Sequence, residues 1–259
     1  MTSAWIIDIG NTRVKLAEFN SGKLLRLSFD EEAEQIATET RTLQQWPDAV
    51  LMAASGEVSA FWHQWKSAWE ASALNRDLFF ELDSTHSFPI DIAYVSRHSL
   101  GLDRLANAVA AHFIDSKSPW LIIDVGTCIT ADLLENESFQ GGAISPGIEL
   151  RLRAMYAGTA HLPFPQNWRE RCVEGLSLHV GVDTESSLLA GAVGGVQSEL
   201  TERINAFSEK FKNIRVALTG GDANYLELHD AFPIFADPNL TVTGYYQILH
   251  HLVQIHHDS

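Results

Sequence analysis

The 259-residue chain is expected to be an α/β protein made of two duplicated domains, and three observations predict this. The stretch WIIDIGNTRVK, Trp5 to Lys15, returns in altered form as WLIIDVGTCITAD, Trp120 to Asp132, with Asp8 matching Asp124 and Gly10 matching Gly126. Each copy opens a series in which short apolar, strand-like runs alternate with amphipathic, helix-like ones. Finally, DSKSP at Asp115 to Pro119 breaks the pattern between the two series, with no low-complexity linker elsewhere. The expected domains are residues 1–115 and 116–259.

The elements follow in order. AWIIDIG is a continuously apolar run that meets Asp and Gly, as a buried strand meets a turn. VKLAEF and KLLRLSF flank NSG, a hairpin connection. DEEAEQIATETRTLQQW opens with acidic residues, which favour a helix N-terminus; Glu31, Glu32 and Glu34 there read as a solvated helix start. AVLMAAS reads as a strand, EVSAFWHQWKSAWEAS as an amphipathic helix, and DLFFEL as another strand. Trp62, Trp65 and Trp69, three and four residues apart, predict one packed helix face. In LDRLANAVAAHF, from Leu102, the interval of four between Leu105, Val109 and Phe113 predicts a helix.

The cycle restarts at PWLIIDVG, with ITADLL and FQGGAI as the next strands. A helix from about Ile148 to Ala157, a long one from about Thr184 to Phe211, the strand IRVALTG and a final helix ending near His256 complete the series. His250, His251, His256 and His257 crowd the C-terminus, but adjacent histidines point to different faces of a helix. A frayed or solvated tail is expected there, not a metal site.

Composition narrows the function classes. Lys and Arg total 18 against 33 Asp and Glu, a net charge of −15, which repels nucleic-acid backbones and anionic membranes. Neither nucleic acid nor a membrane is an expected partner. Cys128 and Cys172 are too few for a disulfide framework or a tetrathiolate zinc site, and they suit a reducing compartment. With no basic leader and no apolar run of roughly 20 residues, a soluble cytoplasmic protein is expected.

The repeated turn carries the chemistry. Glycine lets backbone amides approach a phosphate, and the Asn and Thr side chains add donors. Asp8 and Asp124 suit a screening cation, and Lys15 supplies a point charge. Two such turns acting together would clamp the phosphates of a nucleotide in a cleft. A third turn, ALTGGDANYL around Thr219, Gly220 and Gly221, follows a strand and precedes an expected helix, where a nucleoside would lie against bare backbone. Asp103 and Arg104 fall in the first turn of a helix, beside Gly101. There they are either a cap or an acid/base pair for an acceptor. A single D-x-G turn is ordinary strand punctuation; its repetition is what argues for phosphate.

DIGNTRVK, GLDR at Gly101 to Arg104, DVGTCIT at Asp124 to Thr130, GGAISPGIELRLRAM at Gly141 to Met155 and DTESSLLAGAVGG at Asp183 to Gly195 together resemble the type III pantothenate kinases. These belong to the acetate and sugar kinase/Hsp70/actin superfamily. The resemblance implies two ribonuclease H-like domains in the actin-like ATPase fold with an interdomain cleft. It also implies ATP-dependent phosphorylation of pantothenate to 4′-phosphopantothenate, the first step of coenzyme A synthesis, with Mg2+ and a monovalent cation, K+ or NH4+.

By position it assigns ATP binding to Asp8, Ile9, Gly10, Asn11, Thr12, Arg13, Val14 and Lys15, with Thr127 on a phosphate. Asp124 is assigned the monovalent cation and Asp103 the role of proton acceptor. Tyr94, Gly101, Leu102, Asp103, Arg104 and Thr184 are assigned to pantothenate. A homodimer is implied, with Thr184 reaching the pocket across the subunit interface. Two departures touch the acceptor positions: VSRHSL stands where proline is common, and Leu102 replaces a small residue. On the residues alone, two alternatives stay open: a kinase for another small hydroxyl-bearing substrate, and a nucleotide-binding regulatory protein of the same fold without turnover.

Overall fold

The computed structural model describes residues 1–72, 78–175, 177–228 and 233–258. It separates into two compact units, Met1–Ile114 with Asn239–Ser259, and Asp115–Pro238.

In the first unit, β1 (Ser3–Ile9), β2 (Val14–Asn20) and β3 (Lys23–Phe29) form an antiparallel meander. α1 (Asp30–Leu43), β4 (Ala49–Ala54), α2 (Ala60–Ser72), β5 (Phe79–Leu82) and α3 (Leu102–Ile114) follow. The sheet order is β3-β2-β1-β4-β5, with β4 and β5 parallel to β1. Residue 77 of the expected strand DLFFEL lies outside the described residues. β1 is apolar along its length because both of its faces are covered. Trp5, Ile7 and Ile9 pack with Ala33 and Ile36 of α1 and with Trp62, Trp65 and Trp69 of α2, the last three fully buried. Trp5 stacks on Trp65 at 5.3 Å between ring centres.

The other face of β1 and β4 receives the last helix of the chain, α8 (Leu240–Asp258), which also packs along α3. This helix was expected in the second domain; it clusters with the first unit instead. The contact is close: a Cβ on Gly244 would lie 1.8 Å from the Ala106 carbonyl oxygen, so only glycine fits that crossing. The C-terminal tail is solvated, as expected, and helical. Helix continues through His256 and His257 to Asp258, with these residues exposed.

The second unit repeats the plan. β6 (Trp120–Val125), β7 (Cys128–Glu135) and β8 (Ser138–Pro146) form the meander. α4 (Ile148–Gly158), α5 (Trp168–Val173), α6 (Thr184–Leu189), α7 (Gly195–Lys210), β9 (Arg215–Thr219) and β10 (Ile234–Ala236) follow. The order β8-β7-β6-β9-β10, with β9 and β10 parallel to β6, matches that of the first unit strand for strand. The duplication in the sequence is therefore a duplication of topology, the ribonuclease H-like fold used twice.

Two expected helices differ. The long one from Thr184 is interrupted by a π-helical turn, Ala190–Gly194. A Cβ on Gly194 would lie 2.0 Å from the Leu178 carbonyl oxygen, so close backbone packing, which intrinsic propensity does not encode, accompanies the break. After the third glycine turn the described residues up to Leu228 form a single 3-10 turn, Ala223–Tyr225, and no α-helix. No helix among the described residues is long and apolar enough to cross a membrane.

Candidate functional site

In the first unit the turn between β1 and β2 is shaped by backbone. The Gly10 N–H donates to the Arg13 carbonyl at 3.1 Å, and the Ser55 and Gly56 N–H groups donate to the Ile9 carbonyl at 2.9 and 3.1 Å. A Cβ on Gly56 would stand 2.5 Å from the Gly10 carbonyl oxygen, so the end of β4 presses directly on the turn. Asn11, Thr12 and Arg13 are exposed at its tip, while Val14 and Lys15 are half-buried. The Val14 N–H donates to Asp30 Oδ1 at 2.8 Å, and the Arg13 guanidinium lies over the Phe29 ring at 5.2 Å, which fixes the far side.

Asp8 and Lys15 are directly opposed across the β1–β2 ladder, and Lys15 Nζ donates to Asp8 Oδ2 at 3.0 Å. Asp8 is buried, and burial pushes its carboxyl above the ordinary range. Lys15 pulls it back, and the charge of Asp103 pushes it up a little further. The last effect places the start of α3 in the electrostatic neighbourhood of the β1 turn, within one unit.

At that start, Asp103 Oδ1 accepts from the Arg104 N–H at 2.9 Å. A Cβ on Gly101 would stand 2.5 Å from the same oxygen, so glycine is what allows the carboxylate to fold back over its own helix end. Leu102 is half-buried beside it. Arg104 is buried, with its guanidinium 5.6 Å from the centre of the half-buried Tyr94 ring, a cation–π contact. Asp8, Tyr94, Gly101, Leu102, Asp103 and Arg104, singled out from the sequence, thus all lie in the first unit, with Tyr94, Gly101, Asp103 and Arg104 tied by these contacts.

The second unit presents the paired turn. The Gly126 N–H donates to the Cys128 carbonyl at 3.1 Å, closing a turn like that at Gly10. Thr127 is exposed at its tip and Asp124 is half-buried at its base. Across the ladder from Asp124 stands Thr130, where the first unit has Lys15, so the two turns are not chemically equivalent. Gly147, which precedes α4, packs on this turn: its N–H donates to the Thr127 carbonyl at 3.0 Å. The third turn is stitched to the same place. The Asp222 N–H donates to the Val125 carbonyl at 3.0 Å, and Gly220 holds φ at +100°, with no room for a Cβ against Val125.

Thr184 is the first residue of α6, whose cap is Asp183. The Ser186 N–H donates to Asp183 Oδ1 at 2.7 Å, and the Asp183 N–H is met by the Ser186 hydroxyl. Thr184 is exposed and borders an open depression of about 510 Å³ with Met155, Leu162 and Val182. Among the described residues, no group of three or more His, Cys, Asp and Glu is placed to hold a metal ion. Gly56 and Arg169 lie outside every motif that the sequence offers, whereas Gly147 and Asp222 fall within GGAISPGIELRLRAM and ALTGGDANYL without being singled out there.

The profile of the family described as type III pantothenate kinase matches residues 5–206. A type III pantothenate kinase of Cytophaga hutchinsonii is 33% identical over 252 residues, covering 96% of this chain and 99% of that one. Another, of Flavobacterium psychrophilum, is 35% identical over 240 residues, covering 90% and 92%. In fold, the chain is similar to the ROK hexokinase of Thermus thermophilus, at a TM-score of 0.51 and 14% identity, over 98% of this chain and 100% of that one. With two actin-like halves, the paired turns and full-length similarity of this kind, the chain belongs to the type III pantothenate kinase family.

Proposed function

We propose that this chain moves the γ-phosphoryl group of ATP onto the primary hydroxyl of pantothenate, with Asp103 receiving the hydroxyl proton. ATP-dependent pantothenate phosphorylation, opening coenzyme A synthesis, is the activity that its family membership carries. The residue roles rest chiefly on one observation: Tyr94, Gly101, Asp103 and Arg104, the candidate acceptor-side residues, converge at the start of α3 in the same unit as the β1 turn with its Asp8–Lys15 pair.

The segment Asp8, Ile9, Gly10, Asn11, Thr12, Arg13, Val14 and Lys15 binds ATP, with its backbone amides and Lys15 offsetting phosphate charge on an otherwise acidic protein. Thr127 binds a phosphate from the second turn, and the third turn, Thr219 to Asp222, supports the nucleoside end. Pantothenate lies against Tyr94, Gly101, Leu102, Asp103 and Arg104. Thr184 serves a pocket completed by a second copy of the chain, and the exposed apolar residues near it, Val180 and Val182, suit such a homodimer. The reaction belongs to the cytoplasm.

The buried Asp8 fits a Mg2+ ion. Its charge is disfavoured by burial and only partly offset by Lys15, and Mg2+ is commonly held by one or two carboxylates together with substrate phosphates. Asp124 is the carboxylate for the monovalent cation, K+ or NH4+. When bound, the cations neutralise the charge that spreads over the transferring group.

The bond from the γ-phosphorus to the bridging oxygen breaks, leaving ADP, as the pantothenate oxygen bonds to that phosphorus and its proton passes to Asp103. In-line phosphoryl transfer of this type is loose, so orientation by Asp103 contributes more than basicity. The test is a coupled assay with pantothenate, ATP, Mg2+ and K+, with detection of 4′-phosphopantothenate. ATP bound without product from pantothenate or any other acceptor would overturn the reading.

A further inference from the structure

We infer that Arg169 is a positioning residue for the nucleotide, a single guanidinium that ties the third glycine turn to the helix packed on the Thr127 turn. This rests on the reading that both turns contact ATP.

Arg169 lies on α5, outside the motifs that the sequence offers. Its Nε and Nη2 donate to Asp222 Oδ1 at 3.2 and 3.1 Å, and its Nη1 donates to Glu149 Oε2 at 3.0 Å. Both partners lead to a turn. Asp222 ends the TGGD turn, and its own N–H is bound to the Val125 carbonyl. Glu149 is in the first turn of α4, two residues after Gly147, whose N–H is bound to the Thr127 carbonyl. One side chain therefore spans Val125 to Thr127 on one side and Thr219 to Asp222 on the other.

The clamp is preorganised. The guanidinium lies 4.3 Å from the ring of Trp168, which is buried and packs edge-on against Tyr225 at 5.3 Å. Glu149 is held in turn by Arg153, whose Nε donates to Glu149 Oε1 at 2.9 Å. Burial raises the pKa of Asp222, and the Arg169 guanidinium opposes that shift. Arg is suited to this task and Lys is not, because a planar fork meets two carboxylates from one fixed orientation. Nothing in the arrangement requires Arg169 to touch ATP. It acts through the turns.

The test uses the full-length enzyme, with three readouts: Kd for a non-hydrolysable ATP analogue, the separate KM values for ATP and pantothenate, and Tm. Arg169→Gln is expected to raise the nucleotide Kd and the ATP KM roughly 10-fold or more, the scale for loss of charged hydrogen bonds, while the pantothenate KM stays put. Asp222→Asn should reproduce that split, and Arg169→Lys should recover only part of it. These two variants also carry the test if Arg169→Gln does not fold.

Gly221→Val checks the underlying reading separately, because a Cβ there meets nothing within 4 Å. If Gly221→Val leaves the nucleotide Kd unchanged, the third turn does not meet ATP and the reading beneath the inference fails. If Gly221→Val weakens nucleotide binding but the Arg169 and Asp222 variants lower only Tm, the role of Arg169 is structural and the inference is overturned.

Discussion

Substituting Gly147 by alanine should injure catalysis through a contact that no substrate makes. The residue has φ −68° and ψ 174°, so alanine adopts its backbone without strain, and the effect is purely one of space. The new Cβ would lie 2.2 Å from the Gly126 carbonyl oxygen and 2.6 Å from that of Thr127. Moving the first of these from 2.2 Å to the 3.4 Å of ordinary contact requires a retreat of about 1.2 Å. Both obstructing atoms are backbone at the end of β6, held by the Gly126 and Gly147 hydrogen bonds, so the displacement falls on the turn itself. Overpacking of this kind costs about 1–3 kcal/mol.

A misplacement of about 1 Å at a phosphate-holding group can cost on the order of 100-fold in rate. Steady-state kinetics with ATP as the varied substrate, alongside thermal melts, should show kcat/KM reduced by about that factor and Tm lowered by about 2–4 °C per kcal/mol. Gly158→Ala is the control: a Cβ there meets nothing within 4 Å, and both quantities should hold. If Gly147→Ala lowers Tm yet leaves ATP kinetics at wild-type values, Thr127 is not a phosphate ligand and the reasoning is refuted.

Other substitutions follow from the same geometry. Asp103→Asn should keep nucleotide and pantothenate affinity while turnover drops roughly 100-fold or more; near-normal turnover would remove Asp103 as the proton acceptor. Exchanging K+ and NH4+ for Na+ in the assay should depress the rate, and an unchanged rate would count against a monovalent cation at Asp124. Asp83 bears on acid stability, because the Thr85 hydroxyl and backbone N–H, with His86 adding, hold its carboxyl down at about 2 against an ordinary 3.8. A folded value below the unfolded one means that the stabilisation is present above about pH 4 and is lost as pH falls toward 2. The Tm difference between wild type and Asp83→Asn should therefore shrink over that window, and parallel curves would dismiss it.

What could be read in advance was whatever repeats or has a period. The strand before each D-x-G turn was legible because a run buried on both faces is apolar throughout, and the tryptophan face of α2 because its spacing is helical. The place of Asp103 in the first turn of α3 was legible through the flanking Gly101 and the apolar spacing that follows. Docking was not. The partner of α8 is chosen by a glycine that admits Ala106, a contact between residues far apart in sequence, and nothing local distinguishes that glycine from a weak helix position. The π-helical interruption near Gly194 and the convergence of Arg169 on Glu149 and Asp222 have the same origin. Each depends on segments brought together only by the fold.

The placement of α8 on the first unit also matters while the chain is being made. β1 and β4 leave the ribosome with one apolar face bare, and the helix that covers it is translated only after the whole of Asp115–Pro238. The first unit is therefore completed only after the second has been made, and nascent chains stalled short of Asn239 would expose a sticky sheet that invites chaperones or proteolysis.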